Sequence, residues 1–316
     1  MKEPIDNRPP DPDSVARNIH DIQESADEIT EHIMLRYKNR KDKNKPLIVL
    51  LGEHHDDGVH AAVNLRIIER LQYHIPPYAI GLGLETPHTS PFVALQRLSG
   101  AIKEEFYKSA LSALNAQAIG DPTHAWLHIA ADPTKGVTHL SAVTVCRALK
   151  ANCSVVLGDL PSESDSMILV ENDPSLQDAL TYFRIRPKHT GEISIGSYLG
   201  MHTRNLAMRN KAIESINLRR PEIFIQACGN LHVCGNDLYP HSISLSKLFE
   251  RAGYEVCGYV RRDSDVSDKP DNILNIESVF LEGPKFSNLQ DGLEEKWLNA
   301  VMPSVSIVGW NADEIA

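Results

Sequence analysis

Short, nearly continuous apolar runs alternate with longer amphipathic stretches along this chain, and that alternation restricts its fold more than any other feature. Leu47 to Leu51, Ala79 to Leu84, Ser154 to Leu157, Ile223 to Ala227 and Val256 to Val260 read as strands buried on both faces. Gly58 to Tyr73, Ala101 to Ala118, Ser141 to Lys150, Ser197 to Leu218 and Ser242 to Ala252 read as helices between them. Parallel strands joined by crossover helices have this appearance, so the sequence predicts an α/β fold with a mainly parallel central sheet covered by helices. Roughly 70 residues separate the second and third strands, too many for one crossover. A helical insertion is expected there, at about 86–150, covering or lining a cleft.

Ahead of the first strand, residues 1–13 are rich in Pro, Asp and Asn and read as a flexible arm. Val15 to Tyr37 follows as an amphipathic helix, with Val15, Ile19, Ile22, Ala26, Ile29 and Ile33 at three- and four-residue steps. The basic run Arg36 to Lys45 reads as a solvated connector. The expected organisation is an arm plus helix over 1–45 and one α/β domain over 46–316. The tail turns polar at Asp263 and later holds two weaker strand candidates, Ile276 to Phe280 and Ser304 to Val308.

Composition removes several function classes. In 316 residues, 42% are hydrophobic, enough for a sizeable core. A net charge of −10 leaves no basic stripe to neutralise phosphates, so no nucleic-acid partner is expected. The longest apolar runs fall far short of the ~20 residues that span a bilayer, so no membrane span is expected. The N-terminus has no apolar secretory core, which implies synthesis in a cytoplasm and leaves a non-Sec export route open. Five cysteines with no C-x-x-C pair read as reduced thiols.

The residues able to do chemistry cluster where strands end. The first strand runs into Gly52-Glu53-His54-His55-Asp56-Asp57, the second into Glu85-Thr86-Pro87, the third into Gly158-Asp159, and the fourth into Cys228-Gly229-Asn230-Leu231-His232. In open α/β sheets ligands bind outside the carboxyl ends of strands, so the fold would gather these groups into one cleft. Asp56 and Asp57 suit a helix N-terminus, but two histidines after a glutamate and a buried strand suit acid–base chemistry better. Spacing leaves open whether His54 or His55 faces the cleft. Glu85 follows an apolar strand and needs a cation or histidine to compensate its charge. In the fourth segment, Cys228, His232 and Cys234 make a poor zinc set, and Cys228 suits a small core residue. His232 then becomes a second base or ligand facing the first cluster. Arg204 and Arg209 do not share a helix face, so one of them should be solvated. An arginine aimed at the cleft would pair Glu85 or hold an oxyanion. His124 and His128, although spaced i, i+4, lack a matching acid and read as ordinary histidines. No G-x-S-x-G, P-loop, G-x-G-x-x-G or H-E-x-x-H motif is present.

Taken in order, these segments resemble a superfamily that includes erythromycin esterases, TraB and Tiki proteins and haem-binding ChaN lipoproteins. Gly52-Glu53-His54-His55 matches its Gly-Glu-x-His, Glu85 its second-strand glutamate, Arg204-Asn205-Leu206-Ala207-Met208 its Arg-Asp/Asn-x-x-Met, and Gly229-Asn230-Leu231-His232 its late Gly-x-x-His. The similarity spans roughly residues 46–260, and the ordered set selects Arg204 over Arg209 and His55 over His54. It implies a site of Glu53, His55, Glu85, Arg204 and His232, with His54, Asp159, Asn205 and Asn230 as secondary members. In esterase-like members it implies a histidine base that activates water for hydrolysis of a small-molecule or peptide substrate, with no cofactor required. In Tiki-like members it implies a divalent metal, here at Glu53, His55 and His232. ChaN-like members imply haem as an alternative. Some secreted effectors of plant-pathogenic bacteria also resemble the superfamily, which implies delivery into a host cell and a host protein as partner.

Overall fold

The three- and four-residue spacing near the N-terminus becomes α1 (Pro12–Asn39), whose Ile22, Ala26, Ile29 and Ile33 are buried. Each of those isoleucines contributes about 2 kcal/mol of apolar burial. The computed structural model describes residues 12–53, 58–87, 153–160, 162–164, 167–169, 174–183, 192–194, 197–233, 244–261 and 273–276. Within them follow β1 (Leu47–Glu53), α2 (Gly58–Leu71), β2 (Ile80–Pro87), β3 (Ser154–Asp159), β4 (Ser162–Ser164), β5 (Met167–Leu169) and α3 (Pro174–Phe183). Then come β6 (Glu192–Ser194), α4 (Tyr198–Arg219), β7 (Ile223–Gly229), α5 (Asn230–Val233), α6 (Leu245–Arg251), β8 (Val256–Arg261) and β9 (Ile273–Ile276).

The main sheet has six strands in the order β3-β2-β7-β1-β8-β9, and every pairing is parallel. The α/β fold read from the sequence is therefore the fold observed. A second, antiparallel sheet of β4, β5 and β6 and the helix α3 were not foreseen. Strands of three residues are too short to show a period. The last strand of the main sheet starts three residues ahead of the expected Ile276 to Phe280, because Ile273 pairs with Gly258 and Ile276 with Arg261. The expected insertion at 86–150, the helices within it, the N-terminal arm and Ser304 to Val308 lie outside the described residues, apart from the end of β2 at 86–87.

Side chains of the central strands alternate between two helical layers. Ile48 and Leu50 of β1, Phe224 and Cys228 of β7, and Val256 and Val260 of β8 pack with Met208, Ala212 and Ile216 of α4 and Leu245 and Phe249 of α6. Leu47, Val49 and Leu51 face the other way, toward α1 and α2. On that side the hydroxyl of Tyr259, paired with Leu51, lies 2.6 Å from His32 Nδ1. The basic connector is held in part: Lys45 Nζ donates to the Gly253 carbonyl at 2.8 Å and Arg40 sits over the Tyr37 ring.

Two features of this frame position the strand ends. A Cβ on Gly158 would stand 3.2 Å from the Met208 Cα, so α4 lies directly on β3. Arg204, about one turn before Met208, thereby reaches over the carboxyl ends of β2 and β3. Adjacent strands β1 and β7 stay in register to Glu53 and Gly229, yet α2 follows β1 on one face while α5 and α6 follow β7 on the other. Their connections diverge there, which makes the carboxyl ends of β1 and β7 a topological switch point, the place where open α/β sheets bind ligands.

Candidate functional site

Glu85 sits where β2 slips against β3. Leu84 pairs with Leu157 but Pro87 pairs with Asp159, so β2 spends an extra residue across this step. Glu85 shares the α4 face with Gly81 and Gly83, which lie against Phe224 and Gln226. Its Oε2 accepts from the Gly229 N–H at 2.6 Å, tying the end of β2 to the end of β7. Its Oε1 accepts from Arg204 Nη2 at 2.5 Å and lies 3.0 Å from His232 Nε2.

Arg204 also meets Asp159. Nε donates to Asp159 Oδ1 at 3.0 Å and Nη2 to Oδ2 at 2.6 Å, a fork-to-carboxylate arrangement that Lys could not reproduce. Asp159 Oδ1 is further fixed by the Leu160 N–H at 2.8 Å. Burial works against the guanidinium charge, but the charges and hydrogen bonds of Glu85 and Asp159 outweigh it and hold Arg204 well above its ordinary value. Arg204 Nη1 has no hydrogen-bond partner among the described residues.

His232, 3% exposed, stands behind Glu85, and Asn205 Oδ1 lies 2.5 Å from its Nδ1. An amide oxygen only accepts, so the proton in that bond is on Nδ1. At Nε2 the partner is the Glu85 carboxylate, 3.0 Å away. The ring closes α5 onto α4, and both its nitrogens are engaged.

Glu53 turns to a different partner. Along β1, Ile48, Leu50 and Gly52 face α4 and α6, so the pleat turns Glu53 toward α2. There Asn64 Nδ2 donates to Glu53 Oε2 at 2.9 Å. Asn64 escaped the sequence reading, although a buried polar residue between Val63 and Leu65 in an apolar stripe was its signal. The strand ends therefore carry Glu53 and Asn64 toward the α2 face and Glu85, Arg204, Asn205 and His232 toward the α4 face. His54 and His55, between β1 and α2, lie outside the described residues, as do His124, His128, Cys146 and Cys234.

Asn230 begins α5 and is 3% exposed, yet neither its Nδ2 nor its Oδ1 has a hydrogen-bond partner. Its amide fills the space over Gly52: a Cβ there would stand 2.3 Å from Asn230 Oδ1 and 2.8 Å from Val260 Cγ1. An orphaned buried amide costs about 1–3 kcal/mol.

Arg209 is half-buried rather than solvated, because its Nη2 and Nε reach Asn210 Oδ1 at 2.5 and 3.0 Å. Cys228 is a buried core residue, and Cys153, Cys228 and Cys257 are free thiols. One group on α1, His20, Asp21 and Glu24, brings ligand atoms within 4.8 Å of one another and could hold a metal ion at the surface. His232 does not fit the metal set expected with Glu53 and His55. Its Nε2 is at hydrogen-bond distance from Glu85, with no space for an ion between them, and its Nδ1 is taken by Asn205. Among the described residues, no helix is long and apolar enough to cross a membrane. Compared with known proteins, the chain matches no family model, no curated protein and no solved structure.

Proposed function

We propose that the protein is a hydrolase that cleaves an ester or amide bond at the switch point outside the carboxyl ends of β1, β2 and β7. The observation that carries this reading is Glu85, a buried carboxylate held at once by Arg204 Nη2, the Gly229 N–H and His232. Such a network costs more desolvation than an apolar core would, and that cost is typical of sites that hold charge in a fixed place for chemistry.

On this reading a water molecule is the nucleophile. His55, two residues after Glu53 in sequence, takes its proton, with Glu53, fixed by Asn64, holding the imidazole or the water. As the water oxygen bonds to the carbonyl carbon, negative charge passes to the carbonyl oxygen, and Arg204 Nη1 supplies a donor for it. Glu85 and His232 keep Arg204 and the end of β7 in position, and as the bond to the leaving group breaks, the proton taken from water passes from His55 to that group. This moves His232 from the base role implied by the family resemblance to a positioning role, because both ring nitrogens are engaged, by Asn205 and Glu85. No step requires a metal.

The test is turnover of a panel of p-nitrophenyl esters and peptide anilides by the purified chain and by Glu53→Gln, His55→Ala and Glu85→Gln. Each variant is expected to lose activity by about a hundredfold or more while keeping the circular dichroism of the parent. Full activity in both His55→Ala and Glu53→Gln would rule out the mechanism.

A further inference from the structure

We infer that the amino-terminal end of the main sheet, opposite the proposed site, is a docking surface for an anionic lipid bilayer, with Tyr73, Tyr78 and Leu218 entering the headgroup layer among Lys and Arg side chains. The surface is independent of the hydrolase reading.

Four strands start level at this end. Leu47 and Ile80 both pair with Ile223, and Ile48 pairs with Val256. Backbone hydrogen bonds carry the row past the strands. The Leu47 N–H donates to the Glu222 carbonyl at 3.1 Å, the Glu222 N–H to the Ala79 carbonyl at 2.7 Å, and the Ile48 N–H to the Glu255 carbonyl at 2.9 Å. Neighbouring strands lie about 4.8 Å apart, so β2, β7, β1 and β8 set a row about 14 Å long. Three helices end beside it: α1 at Asn39, with the Tyr37 hydroxyl donating to Glu222, α2 at Leu71 and α4 at Arg219.

Apolar exposure and positive charge coincide on this end. Of the five exposed large hydrophobic side chains among the described residues, Tyr182 stands elsewhere and four stand here: Leu35 at 56%, Tyr73 at 78%, Tyr78 at 67% and Leu218 at 74% exposed. Scattered singly such residues need no explanation, but gathered at one end they mark an interaction surface. Residues 36–46, 217–222 and 250–255, which surround the strand starts, hold nine Lys and Arg against four Asp and Glu, on a chain of net charge −10. Cations at helix C-termini have an ordinary use against the helix dipole, and Lys43, whose Nζ donates to the Lys38 carbonyl, serves it. That use explains neither the excess nor the tyrosines and leucine beside it. Lys38, Lys41, Arg219 and Arg220 are exposed and make no ion pair among the described residues.

The occupant follows from this combination. Anionic headgroups satisfy the cations, while a tyrosine ring or leucine side chain passes between them and a phenol hydroxyl stays in water. A second copy of the chain would present the same cations and be repelled. An acidic protein would satisfy the charge, but it would need a matching pocket for each apolar tip on three separate elements, which a bilayer does not. The acidic remainder of the molecule is repelled by the same membrane, so the carboxyl ends of the strands face solvent.

The test is sedimentation of the full chain with vesicles of phosphatidylcholine and phosphatidylserine in equal parts, against phosphatidylcholine alone. The mixed vesicles are expected to bind the chain at least about tenfold more tightly. Lys41→Ser with Arg219→Ser should weaken that binding about thirtyfold, and Tyr78→Ser with Leu218→Ser about tenfold, each pair keeping the circular dichroism of the parent. Tyr182→Ser should bind as the parent does. No binding to the mixed vesicles, or equal binding to both kinds, would overturn the inference. Binding unchanged by Tyr78→Ser with Leu218→Ser and matched by soluble polyglutamate would overturn it too, and would put an acidic protein in place of the bilayer.

Discussion

Arg204 faces two carboxylates with one guanidinium, and the energetics of the strand ends follow from that ratio. Replacing it by Met leaves Glu85 and Asp159 buried without a cation, at a cost of about 3–5 kcal/mol. Urea denaturation should show a correspondingly lower midpoint, and adding Asp159→Asn to Arg204→Met should recover part of the loss because one stranded charge disappears. Equal midpoints for parent and Arg204→Met would mean that solvent already reaches the pair. At Gly52 the argument is steric. Gly52→Ala places a methyl 2.3 Å from Asn230 Oδ1 and 2.8 Å from Val260 Cγ1, and a loss of about 1–3 kcal/mol is expected. In the Asn230→Ala background the same substitution should cost less, since only the Val260 contact remains, and a double-mutant cycle measures the difference.

At the scale of elements, α4 does most to assemble the site, because it carries Arg204 and Asn205 on successive positions and reaches both β3 and α5. Its ends are therefore sensitive. Ser197 caps the start, its hydroxyl accepting from the Gly200 N–H at 2.9 Å. Ser197→Ala should cost about 1 kcal/mol. At the other end Arg220 adopts the left-handed region, φ 51°, to let its N–H reach the Ile216 carbonyl at 2.8 Å. Glycine takes that conformation without a Cβ penalty, so Arg220→Gly should stabilise the fold by about 0.5–1 kcal/mol, read as a higher melting temperature. A drop on that substitution would mean that the exposed Arg220 side chain contributes more than its backbone strain costs.

For the molecule as a whole, buried titratable groups set its response to acid and to thiol reagents. His202 stacks on Tyr182 at 4.7 Å, and burial, then the charges of Arg209 and Arg251, lower its pKa from 6.5 to about 4. The unfolded chain takes up this proton below 6.5 while the folded chain does so only near 4, so stability falls as pH drops through that window. The loss is at most about 3 kcal/mol, and His202→Gln should flatten that part of the curve in urea titrations repeated across the window. Burial likewise raises the Cys153 thiol to about 11 and the Cys257 thiol to about 12. Iodoacetamide at neutral pH should spare both in the native protein and label both in urea, as peptide mass mapping would record. Sequence and tertiary structure divide the explanation of this molecule along a physical line. Apolar runs are local, and burial on both faces leaves a local signature, so the parallel strands and the acids at their ends were legible in the chain itself. Short segments such as β4 to β6 carry no such signature. Nor does pairing: Arg204 meets Asp159 across 45 residues and Glu85 across 119, while Glu85 reaches Gly229 across 144. Only the order of strands in the sheet brings those groups together. The pleat of β1, set against helices chosen by that order, then turns Glu53 to the face opposite Glu85 and leaves the Asn230 amide over Gly52 without a partner.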